Sequence, residues 1–280
     1  MSDATALTAS CPPSRFELVQ RAPGVRLDGI VSRITGYREL ATGHLRKVET
    51  ASLIVPLIVS FGGPFAIGLG RTPGAGDRVG SFAAGLFAGP VIIDSFGWAN
   101  CLQIDFTPLG ARRFFHMPMT ELTDRMVDLG DALGADGMRF RERLANEPSW
   151  DCRFALAERF IEQRVAAEPK PSATVAWAFD RLLATDGRIQ VGTLAGKIGW
   201  SRKHLVSRFN AEIGLGPKTL ARIVRFNRVM ALAEGRAGGG WADIAAACGY
   251  SDQAHLVRDF HDLAGTTPVA WLAQRAHSPG

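Results

Sequence analysis

GYSDQAHLVRDF, Gly249–Phe260, is a second writing of GWSRKHLVSRF, Gly199–Phe209, about fifty residues upstream. In both, Gly, an aromatic residue and Ser precede His-Leu-Val and a closing Phe, and the later copy carries one extra residue. The likeness extends backwards, with Leu194-Ala195 matching Ile244-Ala245. Each half of the unit has a physical reading. A short helix carries a small residue, Ala195 or Ala245, against which a second helix can pack closely. Gly199 or Gly249 ends that helix, because glycine enters the left-handed conformation without steric cost. Ser201 or Ser251 caps the next helix. Leu205 and Phe209, like Leu256 and Phe260, then share one face at i and i+4. The pattern predicts two helix-turn-helix units, each with its second helix pinned to the core by a Leu/Phe pair.

At roughly 100° per residue, Lys203 and Ser207 point away from the first anchor pair, and Ala254 and Arg258 from the second. His255 flanks the second outer face and Gln253 lies in its first turn. Lys, Arg, Gln and His can donate to phosphates or base edges. Between the copies, Gly214–Glu234 reads as a long helix opened by Pro217. Leu220, Ile223, Val224, Val229 and Leu232 form its apolar side and Arg222, Arg225 and Arg228 its basic one. Such a helix can hold two units at a fixed separation, as needed to enter successive major-groove segments roughly 34 Å apart.

Charge follows the same division. From Lys170 onward the chain has fourteen Lys and Arg against eight Asp and Glu; the residues before it have eighteen against nineteen. The whole excess of the +5 net charge therefore lies in the last two-fifths, which favours a polyanionic partner for that part. A length of 280 residues, 46% hydrophobic and 21% charged, is ordinary for a globular protein of about two domains.

Arg26 to Phe106 is rich in short apolar runs separated by Gly and Pro, as expected of strands in a small sandwich or barrel. Ser52–Gly70 is uncharged and long enough to span a bilayer, but Pro56, Gly62, Gly63 and Pro64 break it into two strand-like runs. From Met119 the period turns helical: Thr120 and Asp124 suggest a capping box, with Leu122, Met126 and Leu129 on one face. A second helix is expected from Ser149. The prolines of EPKPSA then mark a linker. The boundaries that follow are 1–167 for a β-rich domain, 168–172 for the linker and 173–280 for the helical domain.

Signatures of chemistry are sparse. Gly68–Gly85 is Gly-rich but has no phosphate-loop spacing and reads as a hairpin turn. His44, Glu49, Cys101 and His116 do not have metal-ligand spacing, so no metal is expected. Cys11, Cys101, Cys152 and Cys248 are scattered and read as reduced thiols in a cytosol. The N-terminus has no basic, then apolar leader pattern. No catalytic residue and no cofactor is expected.

The order of these parts resembles the AraC/XylS family of bacterial transcription regulators over about residues 173–273. IAAACGYSD, residues 243–252 with its leading Asp243, and Gly265-Thr266-Thr267-Pro268 carry most of the likeness. The resemblance implies an α+β protein: a cupin-like β-rich domain with trailing helices, then an all-α domain with two helix-turn-helix units. It implies Arg202, Lys203, Ser207, Gln253, His255 and Arg258 as DNA contacts. Ser207 departs from the Arg frequent at its position, and Leu256 from the Phe frequent at its own. The implied function is sequence-specific regulation of transcription, as an activator by family habit, in the cytoplasm. Implied partners are double-stranded promoter DNA, RNA polymerase, a small-molecule effector and a second copy of the chain, with no membrane. QIDFTPLGARRFFHMPMTELTDRMVDLGDALG carries the weaker likeness to the sensor domain. The competing reading is a DNA-tethered enzyme with a catalytic N-terminal domain, which would need a reactive Cys such as Cys11 or Cys101.

Overall fold

The structure, a computed structural model, describes residues 15–167, 171–235 and 240–277. The expected linker falls mostly on residues 168–170, and Cys11 on the N-terminal stretch; both lie outside the described residues.

The N-terminal part is built on two antiparallel sheets. In the larger, β1 (Phe16–Arg21), β2 (Val31–Glu39), β9 (Asn100–Phe106), β4 (Val55–Ser60), β7 (Phe82–Ala84) and β10 (Met126–Asp128) lie side by side in that order. In the smaller the order is β3 (Leu45–Glu49), β8 (Val91–Ser95), β5 (Phe65–Leu69), β6 (Arg78–Val79). Ser52–Gly70 thus becomes β4 and β5. Among the described residues no helix is long and apolar enough to cross a membrane. The Gly-rich stretch is the β5–β6 hairpin, closed by Arg71 donating two hydrogen bonds of 2.7 Å to Asp77.

Three helices follow: α1 (Pro108–Phe115), α2 (Leu129–Asn146) and α3 (Trp150–Ala166). Thr107 and Ser149 cap α1 and α3 by accepting the Gly110 and Cys152 backbone N–H groups. The helices bury one face of the large sheet through aromatic contacts. Phe106 of β9 stacks on Phe114 at 4.5 Å, and Phe140 on Phe160 at 4.1 Å.

One expected helix start is corrected. Helix does not begin at Thr120. Met119–Glu121 is a single 3-10 turn, Asp124 takes the left-handed conformation at φ 56°, and Met126–Asp128 pairs with β7. The α-helix starts at Leu129, capped by Asp128. A free sheet edge outcompetes the short apolar helical stripe, and Thr123 is drawn elsewhere: its Oγ1 donates to the carbonyls of Met119 and Gly214.

The C-terminal part is helical: α4 (Ala173–Ala184), α5 (Val191–Lys197), α6 (Arg202–Ile213), α7 (Pro217–Glu234), α8 (Trp241–Ala247), α9 (Gln253–Ala264) and α10 (Pro268–His277). Pro217 opens α7 as expected. Gly199 and Gly249 sit at φ 70° and 75° in the α5–α6 and α8–α9 turns, where any side chain would be strained. Ala195 and Ala245 are buried in the crossings.

One continuous buried core joins the two parts. Among the described residues three hydrogen bonds cross the seam: Thr123 Oγ1 to the Gly214 carbonyl just after α6, at 2.9 Å, the Ala51 N–H to the Leu263 carbonyl near the end of α9, at 2.8 Å, and Thr50 Oγ1 to Met230 Sδ of α7, at 3.7 Å.

The basic side of α7 is partly spent inside the domain. Arg222 donates to Asp259 Oδ1 from Nε and Nη2 at 3.0 and 2.8 Å, and to Asp262 at 2.9 Å. Arg225 donates to the Gly187 carbonyl at 3.1 Å and lies over the Tyr250 ring. Only Arg228 of the three is exposed. Because Asp259 is buried, Arg222→Ala strands a carboxylate at the α7–α9 contact. We expect this variant to lose on the order of 2 kcal/mol in chemical denaturation, with helix content at low denaturant unchanged.

Candidate nucleic-acid interface and ligand cavity

The two second helices are positioned alike. Leu205 and Phe209 are 0% exposed, and Leu256 and Phe260 are 1% exposed, so each helix is fixed by the predicted pair. With those positions inward, Arg202, Lys203 and Ser207 on α6 and Gln253 and Arg258 on α9 are solvent-exposed.

Capping differs from expectation in the second unit. Ser201 caps α6 by accepting the His204 N–H at 3.2 Å. In α9 the cap is Asp252, not Ser251: its carboxylate accepts the His255 N–H at 2.7 Å. The extra residue moves the cap by one position, and a carboxylate suits the positive end of a helix. That hydrogen bond holds the Asp252 carboxyl below its ordinary range. Seen from the caps, the copies are in register: cap, two residues, then His. Each His also meets the aromatic of its turn edge-on, His204 with Trp200 at 4.5 Å and His255 with Tyr250 at 5.1 Å.

The six expected contact residues are therefore not equivalent. Lys203, Ser207, Gln253 and Arg258 project outward on the two faces. Arg202 lies back over α5: a Cβ on Gly192 would meet its guanidinium at 2.5 Å. His255 is half-buried, with Nδ1 3.2 Å from Ser251 Oγ, so it is engaged in holding the turn.

The second feature is a cavity of about 470 Å³ between the two sheets. Cross-strand pairs Tyr37–Cys101 and Thr35–Gln103 line it from the large sheet, and Ile67, Ile93 and Ser95 from the small one. At one end is a buried polar cluster. Glu39 accepts from Ser95 Oγ, from Tyr37 Oη at 3.3 Å and from the Ala99 N–H at 2.9 Å. Burial, reinforced by the charge of Glu39, pushes the Tyr37 hydroxyl and the Cys101 thiol each up to about 12. Cys101 is thus the opposite of the activated thiol that the enzyme reading requires. His44 is held by Asp94, and His116 by the Arg164 carbonyl. Among the described residues no three His, Cys, Asp or Glu side chains form a metal-sized cluster. No cavity residue was expected by number; the signal that marks this wall is the alternation of Thr35 and Tyr37 along β2.

Comparison with known proteins fits this geometry. Residues 194–274, which contain both units, match the family model described as a helix-turn-helix domain. The match spans both units and the long helix between them. No curated protein sequence matches the chain. Among solved structures, ToxT from Vibrio cholerae is similar at 8% identity and a TM-score of 0.45, over 92% of this chain and 97% of that one. ToxT with bound unsaturated fatty acid aligns at 10% identity and 0.41, over 84% and 96%. The AraC-like transcriptional activator CuxR aligns at 16% and 0.30, over 79% and 88%.

If outward projection decides which residues read DNA, the arginines separate. Arg258→Ala should weaken binding to a selected duplex by on the order of 1–3 kcal/mol and relax its base preference, while Arg202→Ala should cost less. Competition binding at fixed salt checks this; equal losses would contradict the assignment.

Proposed function

We propose that the protein is a transcription regulator of the AraC/XylS type that binds double-stranded promoter DNA and answers to a small-molecule effector held between its two sheets. The observation that carries the DNA-binding half is the paired arrangement of α6 and α9: inner faces buried by the Leu/Phe anchors, outer faces exposing Lys203, Ser207, Gln253 and Arg258. Lys203 and Arg258 serve phosphates and base edges, Gln253 a base edge, and Ser207 either. Different outer faces, Lys203/Ser207 against Ala254/Arg258, give the two helices different half-sites.

The cavity is the effector site in this reading, and the seam is the route of coupling. The end of β3 and the loop after it supply Glu49, Thr50, Ala51 and Ser52 to the cavity wall. The same loop touches one reading helix and the helix that connects the two units: the Ala51 N–H bonds the Leu263 carbonyl of α9, and Thr50 Oγ1 lies 3.7 Å from Met230 Sδ of α7. An occupant that shifts the loop changes the relative placement of α7 and α9. Coupling requires such differential contact between the two sites' states. Action as an activator, contact with RNA polymerase, dimerisation and a cytoplasmic location complete the proposal on family resemblance.

The test is DNA binding by the full chain across a salt series. Lys203→Ala should lessen the slope of log affinity against log salt by about one, as for a lost phosphate contact. An unchanged slope would remove Lys203 from the interface, and a wild-type slope near zero would remove the DNA-binding reading. Ala51→Pro deletes the seam N–H and should reduce any effector-induced change in DNA affinity by more than it reduces effector affinity.

A further inference from the structure

We infer that the cavity takes a ligand with an apolar body and a single hydrogen-bond-donating head, a hydroxyl or an amine, and that it discriminates against a carboxylate head. This rests on the effector-site reading above and names the chemistry of that site.

Glu39, behind the cavity wall, sets the direction of the hydrogen bonds made by the lining hydroxyls of Tyr37 and Ser95. Its carboxylate oxygens accept hydrogen bonds. Its Oε1 takes those of Ser95 and Tyr37, and its Oε2 takes the Ala99 N–H. Both hydroxyl protons are committed to Glu39. What Tyr37 and Ser95 can offer the cavity is therefore their remaining lone pairs, which only a donor can use. Among the described residues, no ion pair links Glu39 to a Lys, Arg or His. Neutral donors alone meet its oxygens, so this end of the cavity supplies no cation to an anionic head.

The cations near the cavity do not reverse this at the Glu39 end. Arg46 is held by Asp94 through two hydrogen bonds of 2.7 Å, and Lys47 by Glu49 at 2.8 Å. Arg125, which also lines the cavity, precedes β10 at the far edge of the large sheet from β2. The wall between is apolar, formed by Ile58, Phe65, Ile67, Phe82 and Ile93. The volume of about 470 Å³ falls in the range of small-molecule sites and suits a chain of roughly ten carbons.

Glu39→Gln should invert the preference. The Ala99 N–H fixes the new amide's oxygen toward itself, which turns its NH₂ toward Tyr37 and Ser95. Those hydroxyls then accept from Gln and release their protons toward the cavity, where an acceptor head can use them.

The test is calorimetric titration of the full chain with 1-decanol, decylamine and decanoate, each below its aggregation concentration. We expect the alcohol and the amine to bind about tenfold tighter than decanoate or better, a difference of about 1.4 kcal/mol. Tyr37→Phe, which keeps the ring and removes the acceptor, should cost the alcohol and amine several-fold and leave decanoate unchanged. If Glu39→Gln does not fold, Tyr37→Phe and Ser95→Ala carry the same test. Decanoate binding as tightly as the alcohol, or Tyr37→Phe leaving alcohol affinity unchanged, overturns the head-group inference and leaves the effector-site reading standing. Failure of all three compounds to bind overturns both. The expected order of binding with no change in DNA affinity supports the head-group inference and removes the coupling instead.

Discussion

Two helices, α6 and α9, are held by their buried faces, and the placement of everything around them depends on that hold. Leu205 and Phe209 in α6, and Leu256 and Phe260 in α9, leave each helix one rotational setting, because turning it would expose both anchors together. Burying a Leu or a Phe is worth roughly 1.5–3 kcal/mol apiece, so the setting is strongly preferred over its neighbours. With the inner face fixed, the outer face follows from helical geometry alone. The glycines of the turns and the Arg222 bridge to Asp259 and Asp262 then fix each helix relative to the rest of the domain.

The same fixing sets the ends of the two helices against the β-rich part. Both helices end against it: the carbonyl of Gly214 accepts from Thr123, and that of Leu263 from Ala51. Neither bond is strong, and neutral hydrogen bonds contribute only about 1 kcal/mol net. Their position gives them influence, since a helix with a buried face responds to a push at its end by moving as a unit. A cavity wall that shares a loop with one of these bonds is well placed to supply that push.

Much of this was legible in the sequence, and the parts that were not share a physical reason. The repeat gave the two units, their turn glycines and their anchors, because those depend on spacing within about a dozen residues. It misplaced the second cap on Ser251, since the extra residue of the later copy shifts the helix start by one, to Asp252. It assigned Arg222 and Arg225 to a basic face; their acceptors, Asp259, Asp262 and the Gly187 carbonyl, lie about forty residues away in sequence. It read a helix from Thr120 because local period cannot register that β7 had an unpaired edge. The cavity was the least legible feature. Tyr37, Ser95 and Glu39 come from two strands in opposite sheets, and only the closing of the sheets brings them together.

The central claim, that one chain reads two half-sites with two differently faced helices, meets its most direct test in a hydroxyl-radical footprint of the full-length protein. The duplex would be selected by the protein itself from a random library. The account predicts two protected segments on one face of the duplex, separated by about one helical turn, with unlike sequences in the two selected half-sites. A single protected segment, or a selected pool with no sequence preference, would contradict it.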